Sequence, residues 1–459
     1  MFKSSGFIPN ELPVPSCGIE HLENTKREGL IMNTHLQAEL AAFAQAAHDA
    51  GFLSPQMGND APQKGKYLSA GGKTTLDLTR CDYLSLGTNN DAREIMRSCI
   101  QDFDIACPGS QMVLKGSSNI RLEQALSEFH HAEDAVLFLS GFCANDSVIQ
   151  ALAMRMYMPH LGHYVREAHL QGVVDFPTSF FVDEETHFSL TRGIKIAKLV
   201  KRNCELQRYA TAKYDELIRQ LEISCAKFGD ERVRIIVTDT ISSISGKFYD
   251  VKRLCEIAER FDCLLYLDEA HAIGCIGEEG GGVASTVSEI EKYKDRLIVM
   301  GAFTKALAQL GGYVTVPSRE MAEFIRCASP HYIFSAPTPS WMAESNIRML
   351  SLLRGEYGKQ ERKKLQAISH YLREALARNG FDTLGSESHI IPVLVGEDEK
   401  GKKVKAYLQD HGFTAALFRS PAVPKGRATI RLTLCSDITV AEIDRLLEQL
   451  ISARQKFGF

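Results

Sequence analysis

The strongest constraint in this sequence is an alternation. Between about residue 90 and residue 340, short apolar runs of strand length are separated by longer stretches with helical spacing. The apolar runs fall at 135–139, 180–182, 235–238, 264–267 and 297–300, and helical patterns lie between them at 121–130, 214–228 and 251–261. Strands that alternate with helices form a mostly parallel sheet covered on both faces. The expected fold class is therefore α/β, with a large unit over 76–340. The pattern then changes to helices at 341–354 and 361–379, a strand at 390–395, a helix at 403–411, a strand at 429–434 and a helix at 440–453. These predict a smaller C-terminal α+β unit over 341–459. Residues 1–75 read as an N-terminal extension with a segment of the small unit. Within and beside it, 39–47 has a helix pattern, 57–73 reads as a linker or hairpin, and 75–79 alternates like a strand.

Composition narrows the function classes. The 459 residues carry 53 Lys and Arg against 57 Asp and Glu, a net charge of −4. That balance argues against a general nucleic-acid or membrane-surface binder, which usually shows a basic excess. No apolar run reaches the roughly 18 residues a membrane helix needs. The first residues lack the basic-then-apolar order of a secretory signal. The 12 cysteines include no C-x-x-C pair, so they read as buried thiols of a reduced, cytoplasmic protein. Neither a disulfide framework nor a metal site is expected.

Open α/β sheets build their sites at the carboxyl ends of the strands. The residues that follow each strand are therefore the informative ones. After 264–267 comes Asp268-Glu269-Ala270-His271, and after 297–300 comes Gly301-Ala302-Phe303-Thr304-Lys305. After 135–139 comes Ser140-Gly141-Phe142-Cys143-Ala144-Asn145, which leads into a helix, and after 180–182 comes Asp183-Glu184-Glu185-Thr186-His187. One carboxylate, one lysine, a glycine-started helix N-terminus and two histidines would converge at one edge. Pyridoxal phosphate asks for such a set. It needs a lysine for a Schiff base, a carboxylate against its pyridinium nitrogen and an anion site for its phosphate. No single piece suffices. The tetrapeptide at 268–271 also occurs in a helicase class, but that reading needs a G-x-x-x-x-G-K-[ST] loop, and 245–248 fails the pattern at both ends. The glycines at 277–282 follow no strand directly and read as a flexible turn.

The motifs LDEAHAIGCIG at 267–277 and GAFTKALAQLGGY at 301–313 are similar to those of the α-oxoamine synthases, and so are SGFCAN at 140–145, DEETHFSL at 183–190 and SPAVPKGRATIRLTL at 420–434. The chain resembles that family over about residues 75–455. The family includes 8-amino-7-oxononanoate synthase, 5-aminolevulinate synthase, 2-amino-3-ketobutyrate ligase and serine palmitoyltransferase. The resemblance implies a fold-type I pyridoxal phosphate transferase, with a mostly parallel seven-stranded sheet in the large domain. It implies that Lys305 carries the cofactor, Asp268 pairs with the ring nitrogen, His271 bonds the ring hydroxyl and His187 stacks on the ring. Gly141 and Phe142 would hold the phosphate through backbone amides. Ser243 matches the family serine near the cofactor, Arg431 the arginine that grips the amino-acid carboxylate, and Arg419 an arginine at the same mouth. Ser335 lies where a neighbouring subunit reaches the phosphate, which implies a homodimer with shared sites.

The chain departs from the family in several places. Ala302 stands where the family has threonine, so Thr304 is the candidate to supply that hydroxyl. Cys81-Asp82-Tyr83-Leu84-Ser85-Leu86 replaces N-D-Y-L-G-L, Gly109-Ser110-Gln111 replaces G-S-R, and Asn119 replaces a histidine. An insertion covers roughly 154–174. The stretch DTISSISG and the ending from Phe418 resemble most the branch that makes α-aminoketone or α-hydroxyketone precursors of bacterial autoinducers. The implied reaction is a decarboxylating condensation of an α-amino acid with an acyl-CoA. Lys305 would act as base, and His187 would donate to the thioester oxygen. The stretches 302–310 and 332–341 are largely apolar, which favours a medium or long acyl chain. An aminotransferase would share Lys305 and Asp268 and is the alternative. A non-catalytic partner subunit would typically lack the lysine.

Overall fold

The computed structural model describes residues 36–47, 65–70, 72–106, 109–154, 177–200 and 204–459. Most of the insertion, from residue 155 on, lies outside the described residues, as does 57–64 of the expected linker. Residues 36–47 form a helix, which covers the pattern expected at 39–47. Residues Lys73–Phe459, with Gln63–Ser69, form one compact unit.

Thirteen strands are described. They are β1 (Tyr67–Ala70), β2 (Lys73–Asp77), β3 (Asp134–Phe138), β4 (Thr178–Asp183), β5 (Cys204–Tyr209), β6 (Val233–Asp239) and β7 (Cys263–Asp268). The rest are β8 (Leu297–Ala302), β9 (Gly312–Val316), β10 (Ile390–Gly396), β11 (Phe413–Thr414), β12 (Ala416–Phe418) and β13 (Ala428–Thr433). The large sheet has seven strands in the order β3-β9-β8-β7-β6-β4-β5. Neighbours from β8 to β5 pair parallel, while β9 runs antiparallel to both β3 and β8. The chain is thus α/β with a mostly parallel seven-stranded sheet, as expected.

The strands read as near-continuous apolar runs because both faces are buried. Along β4, Phe180 and Val182 pack into one cluster with Val148, Ile149, Leu190 and Ile194, while Phe181 packs into another with Leu217, Leu221 and Leu254. Ile235 and Val237 divide from Ile236 in the same way along β6. The two-residue period of a strand sends alternate side chains to opposite helical layers. The helices Gly141–Met154 and Phe188–Val200 pack together on the first face. Tyr214–Phe228 and Val251–Arg260 cover the second.

A second sheet, β10-β13-β12, is antiparallel, and a third joins β1, β2 and β11. β2 pairs parallel with β11, so residues before 78 do enter the C-terminal region. Two strands of the large sheet carried no sequence signal. β5 is an edge strand whose middle residues are not fully buried, and β9 returns antiparallel to β8 after the nine-residue loop 303–311. The glycines at 277–282 do form a turn, but a tied one. Gly274 N–H donates to Gly280 O at 2.7 Å and Gly282 N–H to Ile276 O at 3.0 Å. The Glu269 carboxylate accepts from the amides of Val283 and Ala284 at 3.0 and 2.7 Å.

Candidate active site

The carboxyl ends of β4, β6, β7 and β8, with the start of the helix Gly141–Met154, supply the candidate residues. Asp268 is the last residue of β7 and is buried. One of its oxygens accepts from the Ala270 amide at 2.9 Å, and the other from Asn145 Nδ2 at 2.7 Å. Asp239 lies beside it in register at the end of β6. Burial pushes the Asp239 carboxyl well up, and the neighbouring Asp268 adds to the rise. Asp239 in turn accepts from the His187 amide at 3.1 Å, which fixes the backbone just after β4.

His187 is partly open to solvent, and its Nδ1 lies 2.7 Å from Ser189 Oγ. Desolvation pulls its pKa down from 6.5; Asp268 opposes that pull and Lys305 reinforces it. Lys305 sits at the tip of the hairpin between β8 and β9. A hydrogen bond from Ala308 N–H to Lys305 O at 2.9 Å and another from Gln309 N–H to Phe303 O at 3.0 Å tighten that tip. Lys305 is half-buried, Thr304 beside it is exposed, and Ala302 is buried in the strand.

His271 is held by a residue that sequence reasoning passed over. Tyr83 Oη lies 2.5 Å from His271 Nδ1, and the Tyr83 ring packs on His389 at 4.1 Å between centroids. Burial keeps His271 well below the ordinary histidine pKa, with Lys305 and Arg431 adding to the effect. Those electrostatic contacts place His271, Lys305, His187 and Arg431 in one neighbourhood.

The helix Gly141–Met154 presents its N-terminus at the same edge. Four amides at a helix start lack intrahelical partners. Here the Cys143 amide donates to Ser140 Oγ at 3.1 Å and the Ala144 amide to Ser140 O at 3.0 Å. Gly141 and Phe142 come first in the helix, so their amides have no intrahelical carbonyl to reach. Gly141 is tightly seated: a Cβ there would come within 3.1 Å of the Ala302 Cβ, and a Cβ on Gly312 would fall 2.4 Å from Gly141 N.

Arg431, on β13, donates from Nη1 to the Ser243 carbonyl at 2.9 Å, and its guanidinium lies over Phe418 at 4.6 Å. Its Nε is buried without a partner among the described residues. The structure therefore brings Arg431 to Ser243. Arg419 lies just past β12, and it adds to the lowering of the Glu399 carboxyl that Lys402 chiefly causes. Ser335 donates to the His331 carbonyl within its own turn.

The donor set fits pyridoxal phosphate: helix-start amides suit its phosphate, a buried carboxylate its ring nitrogen, and a lysine its aldehyde. The family aminotransferase class I and II matches residues 73–450. The 8-amino-7-oxononanoate synthase of Chlorobaculum parvum is 30% identical over 406 residues, covering 85% of this chain and 93% of the relative. The chain belongs to the α-oxoamine synthases. The synthase of the same name from Symbiobacterium thermophilum is 28% identical over 89% of this chain and 95% of its own. A serine palmitoyltransferase from S. paucimobilis, solved with bound PLP and myriocin, shares the fold at TM-score 0.76 and 22% identity, over 92% of this chain and 98% of that one. α-Oxoamine synthases are pyridoxal phosphate-dependent acyltransferases, and this chain is one of them.

Proposed function

We propose that the protein condenses an α-amino acid with a medium- or long-chain acyl-CoA, releasing CoA and CO₂ and giving an α-aminoketone. One observation carries the reading: Lys305, Asp268, His187, His271 and Arg431 share one electrostatic neighbourhood at the strand ends. When bound, the pyridoxal ring supplies an electron sink for the amino acid's α-carbon. Gly141 and Phe142 amides would hold the phosphate, with the hydroxyls of Thr304 and Ser243 as further donors to the cofactor. Asp268 would hold the ring nitrogen, His271 the ring hydroxyl, and His187 would cover the ring face. Arg431 grips the α-carboxylate, and Arg419 lines the mouth. Lys305 Nζ removes the Cα proton and later returns one. His187 donates to the thioester oxygen as charge builds there.

The acyl length rests on the apolar residues at the strand ends. Leu139, Phe142 and Leu310, beside β3, the start of the helix Gly141–Met154 and β9, are large, apolar and exposed, at 46%, 42% and 63%. Such residues suit a hydrocarbon chain better than a dicarboxylic one. We place the cofactor in 76–340 and assign to 341–459 the arginines of the substrate side. A homodimer completes the site through Ser335. A reducing, cytoplasmic setting suits buried free thiols such as Cys99, Cys255, Cys263, Cys275 and Cys435. Among the described residues no helix is long and apolar enough to cross a membrane.

CoA release, followed over a panel of amino acids and of succinyl-, acetyl-, octanoyl-, decanoyl- and palmitoyl-CoA, tests the reading. An optimum at eight carbons or longer is expected; an optimum at acetyl or succinyl overturns the chain-length assignment. Amino-group transfer to a keto acid without acyl-CoA, at a comparable rate, makes the protein an aminotransferase instead. Lys305→Ala should lose at least about a hundredfold to ten-thousandfold in turnover, the usual worth of a placed proton carrier.

A further inference from the structure

Behind His187 and Asp268 runs a continuous chain of buried polar groups. Tyr266 Oη lies 2.8 Å from Asn145 Oδ1. Asn145 Nδ2 lies 2.7 Å from Asp268 Oδ2 and 3.0 Å from Ser189 Oγ. Ser189 Oγ lies 2.7 Å from His187 Nδ1. Tyr266, Asn145 and Ser189 are all at most 1% exposed, so water does not compete for the bonds among them.

The direction of every bond follows from what each atom is able to do. A carboxylate oxygen only accepts, so the atom facing Asp268 must be the amide nitrogen of Asn145. That orientation turns Oδ1 towards Tyr266, whose hydroxyl must donate. Burial and the nearby Asp268 push the Tyr266 pKa well up, so the hydroxyl keeps its proton. The two Nδ2 hydrogens then go to Asp268 and to Ser189. Ser189 Oγ accepts one of them and has a single hydrogen left, which points at His187 Nδ1. The Ser189 backbone amide also approaches Nδ1, at 3.4 Å, and an amide N–H only donates. Nδ1 therefore accepts, and the ring's one proton sits on Nε2.

We propose that Asn145 and Ser189 are positioning residues that fix His187 as a neutral Nε2–H tautomer, a permanent hydrogen-bond donor towards the acyl group rather than a proton carrier. The inference deepens the proposed function and rests on its placement of His187 at the substrate. The tautomer rule stands on the hydrogen-bond chain alone. The same Asn145 ties Asp268, so one amide orients both the ring-nitrogen partner and the ring-face histidine. Asn145 sits in the quoted run SGFCAN and Ser189 in DEETHFSL, but neither carries a signal of its own in sequence. Two donors on Nδ1 also resist protonation there, which agrees with the lowered pKa of the ring.

The test is ¹⁵N NMR of the histidine-labelled holoenzyme, with the His187 signals assigned by subtracting the His187→Gln spectrum. The expected result is an unprotonated Nδ1 and a protonated Nε2 throughout pH 6–8. Ser189→Ala removes the hydroxyl donor, and the signals should move towards a tautomer mixture. Asn145→Asp replaces a donor by an acceptor. Ser189 then donates to the introduced carboxylate, accepts from His187 and draws the proton onto Nδ1. If that variant fails to fold beside Asp268, Ser189→Ala decides alone. A wild-type Nδ1–H, or a tautomer unmoved in Ser189→Ala, overturns the proposal. In kinetics, Ser189→Ala should lose about tenfold in kcat/KM for acyl-CoA and leave the amino-acid KM within about twofold. An equal loss for both substrates marks a merely structural role and also overturns it. A normal tautomer in a protein that fails the CoA-release assay would count against the proposed function alone.

Discussion

Arg431 spends one nitrogen on the Ser243 carbonyl and one face on Phe418, and its Nε is buried without a partner among the described residues. A planar fork so held presents a fixed edge to a carboxylate, and a point charge on a flexible stem does not reproduce it. Arg431→Lys should therefore raise the amino-acid KM about tenfold to a few hundredfold, the worth of a charge-assisted bidentate contact, while the acyl-CoA KM changes little. Steady-state kinetics with each substrate varied in turn decides this; equal KM changes would remove Arg431 from the amino-acid side. At this scale the sequence was informative wherever a residue closes a strand. Asp268, Lys305, His187 and Gly141 all follow apolar runs, and the structure puts them at one edge. Tyr83, Asn145, Ser189 and Asp239 were not legible, because their meaning lies in partners far away in the chain. Tyr83 meets His271 across 188 positions, and Asn145 meets Asp268 across 123.

Among elements, some helices were legible and others, such as Asn90–Asp102 and Arg319–Ala328, were not. Tyr214–Phe228 matches the expected bounds, because its apolar residues repeat at helical spacing. The hairpin of β8 and β9 was not, since an antiparallel return inside a parallel sheet breaks the rule that located the other strands. Another feature without a sequence signal is the exposed segment beside the short helix Pro330–Ile333. Ser110 Oγ donates to the Ile333 carbonyl at 2.7 Å, which ties Met112, Val113 and Leu114 to the neighbourhood of Phe334. These four side chains are 49%, 85%, 63% and 74% exposed. Exposed apolar side chains so placed suit an association site. It adjoins Ser335, the residue assigned to the partner's phosphate. If the proposed homodimer forms through it, replacing Val113 and Phe334 together by Glu should shift the protein from dimer to monomer in sedimentation at micromolar concentration. It should also weaken cofactor retention at least about tenfold, since burying an unpaired charge is costly. A double variant that stays dimeric removes this surface from the interface.

The whole molecule couples its core to its site through histidine. His389 is 3% exposed, its ring lies 4.1 Å from that of Tyr83, and Tyr83 reaches His271. Burial drives the His389 pKa down from 6.5 to about 3, and the nearby Arg373 adds to the fall. In the unfolded chain the same imidazole takes its proton as pH drops through 6.5, while in the fold it stays neutral until about 3. The unfolded state thus binds more protons over that interval, so stability must decline on acidification. The contribution is fully present above pH 6.5 and is lost progressively towards pH 3. One such group costs about 1.4 kcal/mol per pH unit once the unfolded chain is protonated. Glu269 works in the opposite sense. Burial raises it to about 7, so it favours the fold as pH falls from about 7 towards 4.5. The total acid response of the wild type therefore mixes the two signs, and only a difference isolates the histidine. His389→Phe keeps a ring against Tyr83 and removes the proton site. Unfolding free energies of wild type and variant, measured at one protein concentration, should converge or cross as pH is lowered from 6.5 to 4.5, by about 1.4 kcal/mol per unit. Parallel curves would show that His389 titrates normally in the fold, and that the packing between Tyr83 and His389 is open to water.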